Sequence, residues 1–331
     1  MSLPRFAYFN DAIVPYAEAK LGVLTHAFNY GTSALSGIRG YWNNDEGQLF
    51  LFRPLDHLRR LVASAKLLGM ECPFSPEELL DRVLQVLRAE QLTEDCYIRS
   101  VVYYADESLG VRLHDLTPAV TMYVLPYGHY GKTETGVHVT VSSWHRLDDS
   151  TIPFRARIAA AFVNVAFART QAQRAGFDEP VMLDSSGLIS ESPLANLFIV
   201  RNGVFITPTA HDPILESVTR RTALSLIRDD LGMTVIERPI ERSEIYLSDE
   251  AFLCGTGIQI SAVTWADHIP VGSGSPGPLT TKVRELYFSA ARRKLSRWSD
   301  WCVPVYERRI YLDRPAVDER RTPRPADNRE L

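Results

Sequence analysis

His26-Ala27-Phe28-Asn29-Tyr30-Gly31-Thr32-Ser33, continued by Gly37-Ile38-Arg39, heads an ordered series of segments that decides the fold of this 331-residue chain. Downstream, in order, come Phe52-Arg53 with Asp56-His57-Leu58-Arg59-Arg60-Leu61, then Tyr97-Ile98-Arg99, then Val141-Ser142-Ser143-Trp144 with Ile152-Pro153. Ser190-Glu191 with Asn196-Leu197-Phe198, Leu215-Glu216-Ser217-Val218-Thr219-Arg220 and Gly255-Thr256-Gly257 complete it. Two of these segments carry a physical reading of their own. Leu215 to Arg220 stands at a helix start, where first-turn N–H groups lack acceptors and the helix dipole favours an anion. Gly255-Thr256-Gly257 is a turn whose backbone can approach a ligand closely. Each feature alone reads better as an ordinary cap or an ordinary turn.

Around these segments the pattern alternates strands and helices. Ala7 to Asn10 and Ala12 to Pro15 read as a hairpin about Asn10-Asp11. Gln48 to Phe52 is an apolar strand, and Pro54 opens a helix with Leu58, Leu61, Ala65 and Leu68 at helical spacing. Ser75-Pro76-Glu77-Glu78 joins an N-cap, a proline and first-turn acids, starting a helix that runs to about Glu90. Strands are expected at Tyr97 to Tyr104, Ala119 to Leu125, Val137 to Ser143, Pro180 to Asp184, Asn196 to Val200, Val204 to Thr207 and Glu250 to Cys254. Helices are expected over Ile158 to Ala175, capped by Gly176, over Val218 to Asp230, and over Thr280 to Leu295. The boundary between two domains falls in the Gly- and Tyr-containing link near Pro126 to Glu134. This divides the chain into residues 1–128, an α/β domain, residues 129–303, and an Arg- and Pro-rich tail from 304 to 331.

Composition narrows the function classes. Hydrophobic residues make up 45% and charged residues 23%, as in ordinary globular proteins, and the formal net charge of −4 gives no bulk attraction to nucleic acid or membrane. No apolar run approaches the roughly 20 residues that span a bilayer, and a cytoplasmic location is expected. Cys72, Cys96, Cys254 and Cys302 are scattered, without C-x-x-C or other metal-ligand spacing, so reduced thiols and no bound metal are expected. Of 36 basic residues only five are lysines: Lys20, Lys66, Lys132, Lys282 and Lys294.

The series, collinear from about residue 6 to residue 290, resembles the branched-chain-aminotransferase-like, class IV pyridoxal-phosphate enzymes. The resemblance implies an α/β fold of type IV: an N-terminal α/β domain, a larger barrel-like C-terminal domain, and a cofactor cleft between them. It implies a homodimer acting on a small amino or oxo acid. Arg60, Val218, Thr219, Gly255 and Thr256 match the residues around the cofactor phosphate, Leu215 the residue under the ring, and Glu191 the carboxylate that pairs with the ring nitrogen. Tyr30, Gly37, Arg39, Tyr97, Arg99, Tyr127, Tyr130 and Gly257 match positions lining the substrate pocket.

The same resemblance places the Schiff-base lysine at Arg157. A lysine amine sheds its proton and attacks an aldehyde, whereas a guanidinium stays protonated and does neither. The family's tyrosine near the cofactor falls on Phe162, and a family glutamate on Ala195. Three readings follow: a repurposed enzyme that holds pyridoxal or pyridoxamine phosphate without a covalent link, or takes another anionic ligand; a slow residual aminotransferase; and a non-catalytic ligand-binding partner protein. Arg157 and Glu191 are the candidate catalytic groups.

Overall fold

The computed structural model describes residues 3–128 and 135–307. Its chain folds into two mixed sheets with helices packed on them. Strands β1 (Phe6–Phe9) and β2 (Ala12–Pro15) form the expected hairpin, with Asn10 and Asp11 both at positive φ. A short helix α1 (His26–Tyr30) leads into β3 (Ser33–Asn43) and β4 (Gln48–Phe52), followed by helices α2 (Pro54–Leu67) and α3 (Pro76–Glu90). Then come β5 (Cys96–Tyr104) and β6 (Pro118–Pro126).

Alternation along β5 and β6 explains how this sheet serves both core and cleft. Ile98, Val102, Met122 and Val124 point to the helix side and are fully buried with Leu58, Leu61 and Ala65 of α2 and Val83, Val86 and Leu87 of α3. The intervening Tyr97, Arg99, Tyr123 and Leu125 therefore face the other way. Helix α3 begins as the sequence indicates, with Ser75 and Glu78 exchanging a reciprocal capping box.

The second sheet takes β7 (Val137–Val141), β8 (Glu179–Val181), β9 (Asn196–Arg201), β10 (Val204–Thr207), β11 (Val235–Glu237), β12 (Glu250–Gly255) and β13 (Gln259–Ala266), in the order β11-β10-β9-β12-β13-β7-β8, with β14 (Ile269–Pro270) on β13. Its end strands do not pair with one another among the described residues. Helices α4 (Phe162–Arg174), α5 (Val218–Ser225) and α6 (Pro278–Ala291) belong to this half. Between the sheets, Tyr41, Phe50 and Phe52 of the first pack with Phe198, Phe252 and Ile260 of the second and with Tyr287 of α6. The last strand β15 (Cys302–Pro304) pairs with β4, so the chain returns to the first sheet, where Val305 is fully buried. The remainder of the Arg- and Pro-rich tail lies outside the described residues.

Three expected helices differ in detail. The run from Ile158 is not unbroken: Ile158 is extended, Ala159–Ala161 form a 3-10 turn, and the α-helix starts at Phe162. The cause is a backbone bridge between Ile158 and Ala34 of β3, which holds that residue in a strand-like conformation. The helix from Val218 widens into a π-helical segment at Leu226–Asp230. The last helix ends at Ala291, short of Leu295, where Arg293 turns to positive φ.

Candidate active site

A cleft of about 240 Å³ opens between the two sheets. One wall is the outward face of the first sheet, with Gly37, Tyr97, Arg99, Tyr123 and Leu125, and with Tyr127 just beyond. The other comprises Arg146, the turn from Glu191 to Asn196, Leu215 with Ser217, and the β12–β13 connection Gly255 to Ile258. Arg60 and Arg157 also line it.

Glycines make room at two of these places. A Cβ on Gly37 would lie 2.0 Å from the Tyr97 hydroxyl, so the glycine lets that ring lie across β3. A Cβ on Gly255 would lie 2.3 Å from the Leu194 carbonyl oxygen, so the turn after Glu191 can pack directly on β12. Gly257, in contrast, faces open space.

Arg157 is fixed at its backbone and opens its side chain to the cleft. Its N–H donates to Ser64 Oγ of α2 at 3.1 Å, and its carbonyl accepts from the Leu35 N–H of β3 at 3.0 Å. Its neighbours Ala156 and Ile158 are buried in the first sheet's core. The guanidinium lies over the Phe162 ring at 5.0 Å, and its Nε is buried without a hydrogen-bond partner. Burial lowers the Arg157 pKa, with Tyr97 pulling against it and Arg99 adding to the fall.

Glu191 is held by three donors. Its Oε1 meets Arg146 Nη2 at 2.8 Å, and its Oε2 accepts from Asn196 Nδ2 at 2.9 Å and from the Leu215 N–H at 3.1 Å. Burial raises its pKa, and Arg146 and the Leu215 N–H counter that. Glu179 also lines the cleft; burial pushes its pKa up to about 7 in spite of an ion pair with Arg169 at 2.7 Å.

The opening of α5 forms an anion-type corner. Ser217 caps it by accepting from the Arg220 N–H, and the first-turn N–H groups have no acceptor one turn back. Arg60 Nη1 reaches the Glu216 carbonyl at 3.4 Å; burial first, then Arg157 and Arg221, bring its pKa to about 9, which leaves it cationic at neutral pH. The positive field extends to buried His57, whose pKa falls well below its ordinary value through burial and then through Arg60, Arg53 and Arg157.

Eleven of the sequence-derived candidates thus line one cleft: Arg157, Glu191, Arg60, Leu215, Gly255, Thr256, Gly37, Tyr97, Arg99, Tyr127 and Gly257. Four do not. Val218 and Thr219 have their side chains buried in the body of α5, so only their backbone faces the corner. Arg39 is fully buried and spends its two terminal nitrogens on the Tyr127 and Gly128 carbonyls, at 2.8 and 2.7 Å. It shapes the cleft by holding that segment and does not face the cavity. Tyr30 turns away, its hydroxyl accepting from the Gly110 N–H at 3.2 Å. Tyr130 lies outside the described residues. Sequence reasoning missed Arg146, Asn196 and Glu179. Asn196 was legible within the quoted Asn-Leu-Phe segment, but nothing local announces that Arg146 meets Glu191.

With this geometry established, similarity to known proteins decides the family. Residues 41–265 match the model of the amino-transferase class IV family. The chain belongs to the class IV aminotransferases. A probable branched-chain-amino-acid aminotransferase of Aquifex aeolicus is 42% identical over 92% of this chain and 97% of its own. The branched-chain-amino-acid aminotransferase of Escherichia coli is 34% identical over 86% and 92%. Among solved structures, the Thermoproteus uzoniensis branched-chain aminotransferase with norvaline superposes with a TM-score of 0.88 at 37% identity, covering 92% of this chain and all of that one. The Thermobaculum terrenum enzyme in its PLP form gives 0.88 at 33%, over 92% and 99%. The type IV fold of this class IV member, expected from its motifs, is therefore established.

Proposed function

We propose that this class IV member is a repurposed enzyme. In this reading it lacks the Schiff-base lysine, holds pyridoxal or pyridoxamine phosphate non-covalently, and acts on a small amino or oxo acid. One observation carries the reading: Arg157 presents a guanidinium to the cleft beside Tyr97, Arg99 and Glu191, and no lysine among the described residues lines that cleft. The names of the relatives support the substrate class.

The residues present fit the cofactor. Arg60, the α5 start with Ser217, and the Gly255-Thr256 turn would hold the phosphate. Glu191, anchored by Arg146, Asn196 and the Leu215 N–H, would hold a protonated ring nitrogen. When bound, the cofactor supplies an electron-withdrawing ring. Arg157 offers a fixed positive charge to developing negative charge nearby, and it gives neither an amine nucleophile nor a base. Proton movement then falls to groups such as Tyr97 or Glu179 on the walls. The exposed side chains Val23, Phe28, Leu109 and Val111, on the segments joined by the Tyr30–Gly110 hydrogen bond, support a homodimer.

The test is an absorption titration with pyridoxal phosphate, followed by borohydride. The expected result is a saturable spectral change with no adduct fixed to the protein. A fixed adduct would overturn the non-covalent reading. An unchanged spectrum at saturation would remove the cofactor from the proposal. If amino donors then convert pyridoxal to pyridoxamine phosphate in multiple turnovers, the slow residual aminotransferase replaces the repurposed enzyme.

A further inference from the structure

The cleft's charge balance points beyond the cofactor to what must lie beside Arg157. Four guanidiniums line the cavity, from Arg60, Arg99, Arg146 and Arg157, against the carboxylates of Glu179 and Glu191. Both acids are already engaged, Glu191 with Arg146 and Glu179 with Arg169. Arg60, Arg99 and Arg157 have no carboxylate partner among the described residues. The Nε atoms of Arg99 and Arg157 are moreover buried with no hydrogen-bond partner. A buried, unanswered donor on a cation is costly unless a ligand supplies the acceptor.

The three unmatched cations fall into two groups. Arg60 sits by the Glu216 carbonyl at the start of α5, the corner that suits a phosphate. Arg157 and Arg99 line the cavity together with Tyr97: the Arg99 guanidinium lies 5.3 Å from the Tyr97 ring centre, and the Arg157 guanidinium lies 5.0 Å from the Phe162 ring centre. One phosphate at the first group leaves the second unanswered. Planar guanidiniums pair best with planar carboxylates, in bidentate fashion. An ammonium placed there would meet like charge.

We infer that the cleft selects a phosphorylated ligand carrying a carboxylate, and not an amine, on the side that faces Arg157 and Arg99. The inference rests on the proposed phosphate site at Arg60 and the α5 start, and deepens it by naming the class of the second group. It makes Arg157 a specificity-determining residue for an acid.

Two probes of matched shape test it: 4-pyridoxic acid 5′-phosphate, with a carboxylate on the ring carbon, and pyridoxamine 5′-phosphate, with an aminomethyl group there. Affinities for the full-length protein are measured by calorimetry or by ligand fluorescence, with no turnover required. The expected result is tighter binding of the carboxylate by about tenfold or more, as a charge-assisted hydrogen bond gives. Arg157→Gln, and separately Arg99→Gln, should reduce that ratio to within about threefold while pyridoxamine 5′-phosphate binding holds or improves. Circular dichroism of each variant checks that it has folded. Equal affinities, or a preference for the amine, would overturn the inference and leave the phosphate site standing. So would a ratio that survives both substitutions in folded protein. Failure of both probes and of pyridoxal phosphate to bind would overturn the phosphate site itself, and the inference with it.

Discussion

Removing the charge of Glu191 should destabilise the fold more than removing the charge of its partner Arg146, and the asymmetry can be worked out from their surroundings. Glu191 Oε1 faces Arg146 Nη2 at 2.8 Å, and the two side chains are only 5% and 13% exposed. Glu191 Oε2 answers two further donors, Asn196 Nδ2 and the Leu215 N–H. In Glu191→Gln, one oxygen and one NH₂ replace two oxygens that together face three donors. One side of the amide must then point donor at donor. Whichever way it points, the buried cation loses its counter-charge, and if the NH₂ turns toward Arg146 that cation loses its acceptor as well. If it turns the other way, Asn196 and the Leu215 N–H lose their acceptor. Breaking a buried pair from one side typically costs about 3–5 kcal/mol. Burial already raises the Glu191 pKa, so the carboxylate was held at some cost, and about 2–4 kcal/mol is the better figure. Arg146→Met leaves Glu191 with both donors and with Arg157 and Arg60 nearby, so about 1–2 kcal/mol is expected. Urea midpoints at constant m-value measure both. The double variant should show coupling above about 1 kcal/mol. Additive losses within about 0.5 kcal/mol, or Arg146→Met costing more than Glu191→Gln, would refute this account of how the acid is held.

Two other changes probe the packing of the second half. Glu244 accepts from Arg238 at 2.8 and 2.7 Å, from Arg201 at 2.9 Å and from the Glu241 N–H at 3.1 Å, and the Arg238 bonds chiefly bring its pKa down to about 2. A depressed carboxylate pKa stabilises the fold above the unfolded value near 4.5 and loses that contribution as pH falls toward 2. After allowance for solvent screening, Glu244→Gln should cost about 1–2 kcal/mol at pH 7 and flatten the acid limb of a melting-temperature profile between those values; a parallel limb would contradict it. Gly255→Ala would drive a methyl to 2.3 Å from the Leu194 carbonyl, whereas Gly257→Ala meets nothing within 4 Å. Thermal melts should therefore separate the two by about 1–3 kcal/mol, with Gly257→Ala near wild type.

The sequence exposed those features whose cause is local. Gln48–Phe52 is apolar from Leu49 onward, and α3 announces itself through Ser75, Pro76 and Glu78, so both appear where they were expected. Strand β3 was missed because its first eight residues, Ser-Ala-Leu-Ser-Gly-Ile-Arg-Gly, have poor strand propensity, and only Tyr41 and Trp42 near its end favour a strand. Its glycines have a non-local cause. At Gly40 a Cβ would meet Cys96 Sγ at 2.6 Å, and at Gly37 the Tyr97 hydroxyl, both from β5 across the sheet. Strand β13 went unread for the opposite reason: nearly all of it is buried, so no polar alternation marks it. At the site, motif order supplied eleven of the lining residues, and it also brought in Arg39, which the fold buries away from the cavity. Only the tertiary fold reveals that the Tyr127 and Gly128 carbonyls take both terminal nitrogens of Arg39. Arg146 was hidden for a related reason, as one arginine in a chain with few lysines.

Arg157 and Phe162 are better understood as one unit than as two separate residues. A phenol in place of Phe162 would bring a hydroxyl to the base of the cleft and would need a partner for it when buried. A guanidinium donates and does not accept, so it could satisfy that hydroxyl only as a donor and would leave the phenolic proton unanswered. A bare ring removes the problem and offers its negative face to the planar cation at 5.0 Å. The ring leaves the guanidinium nitrogens their hydrogen-bonding capacity, consistent with the unpartnered Arg157 Nε. On this argument Phe162→Tyr alone would disturb Arg157. It should lower affinity for an anionic ligand, by about three- to tenfold for one guanidinium N–H diverted from the ligand to the phenol. Unchanged or improved binding of pyridoxal phosphate to Phe162→Tyr, measured by the same absorption titration, would show that the two residues act independently.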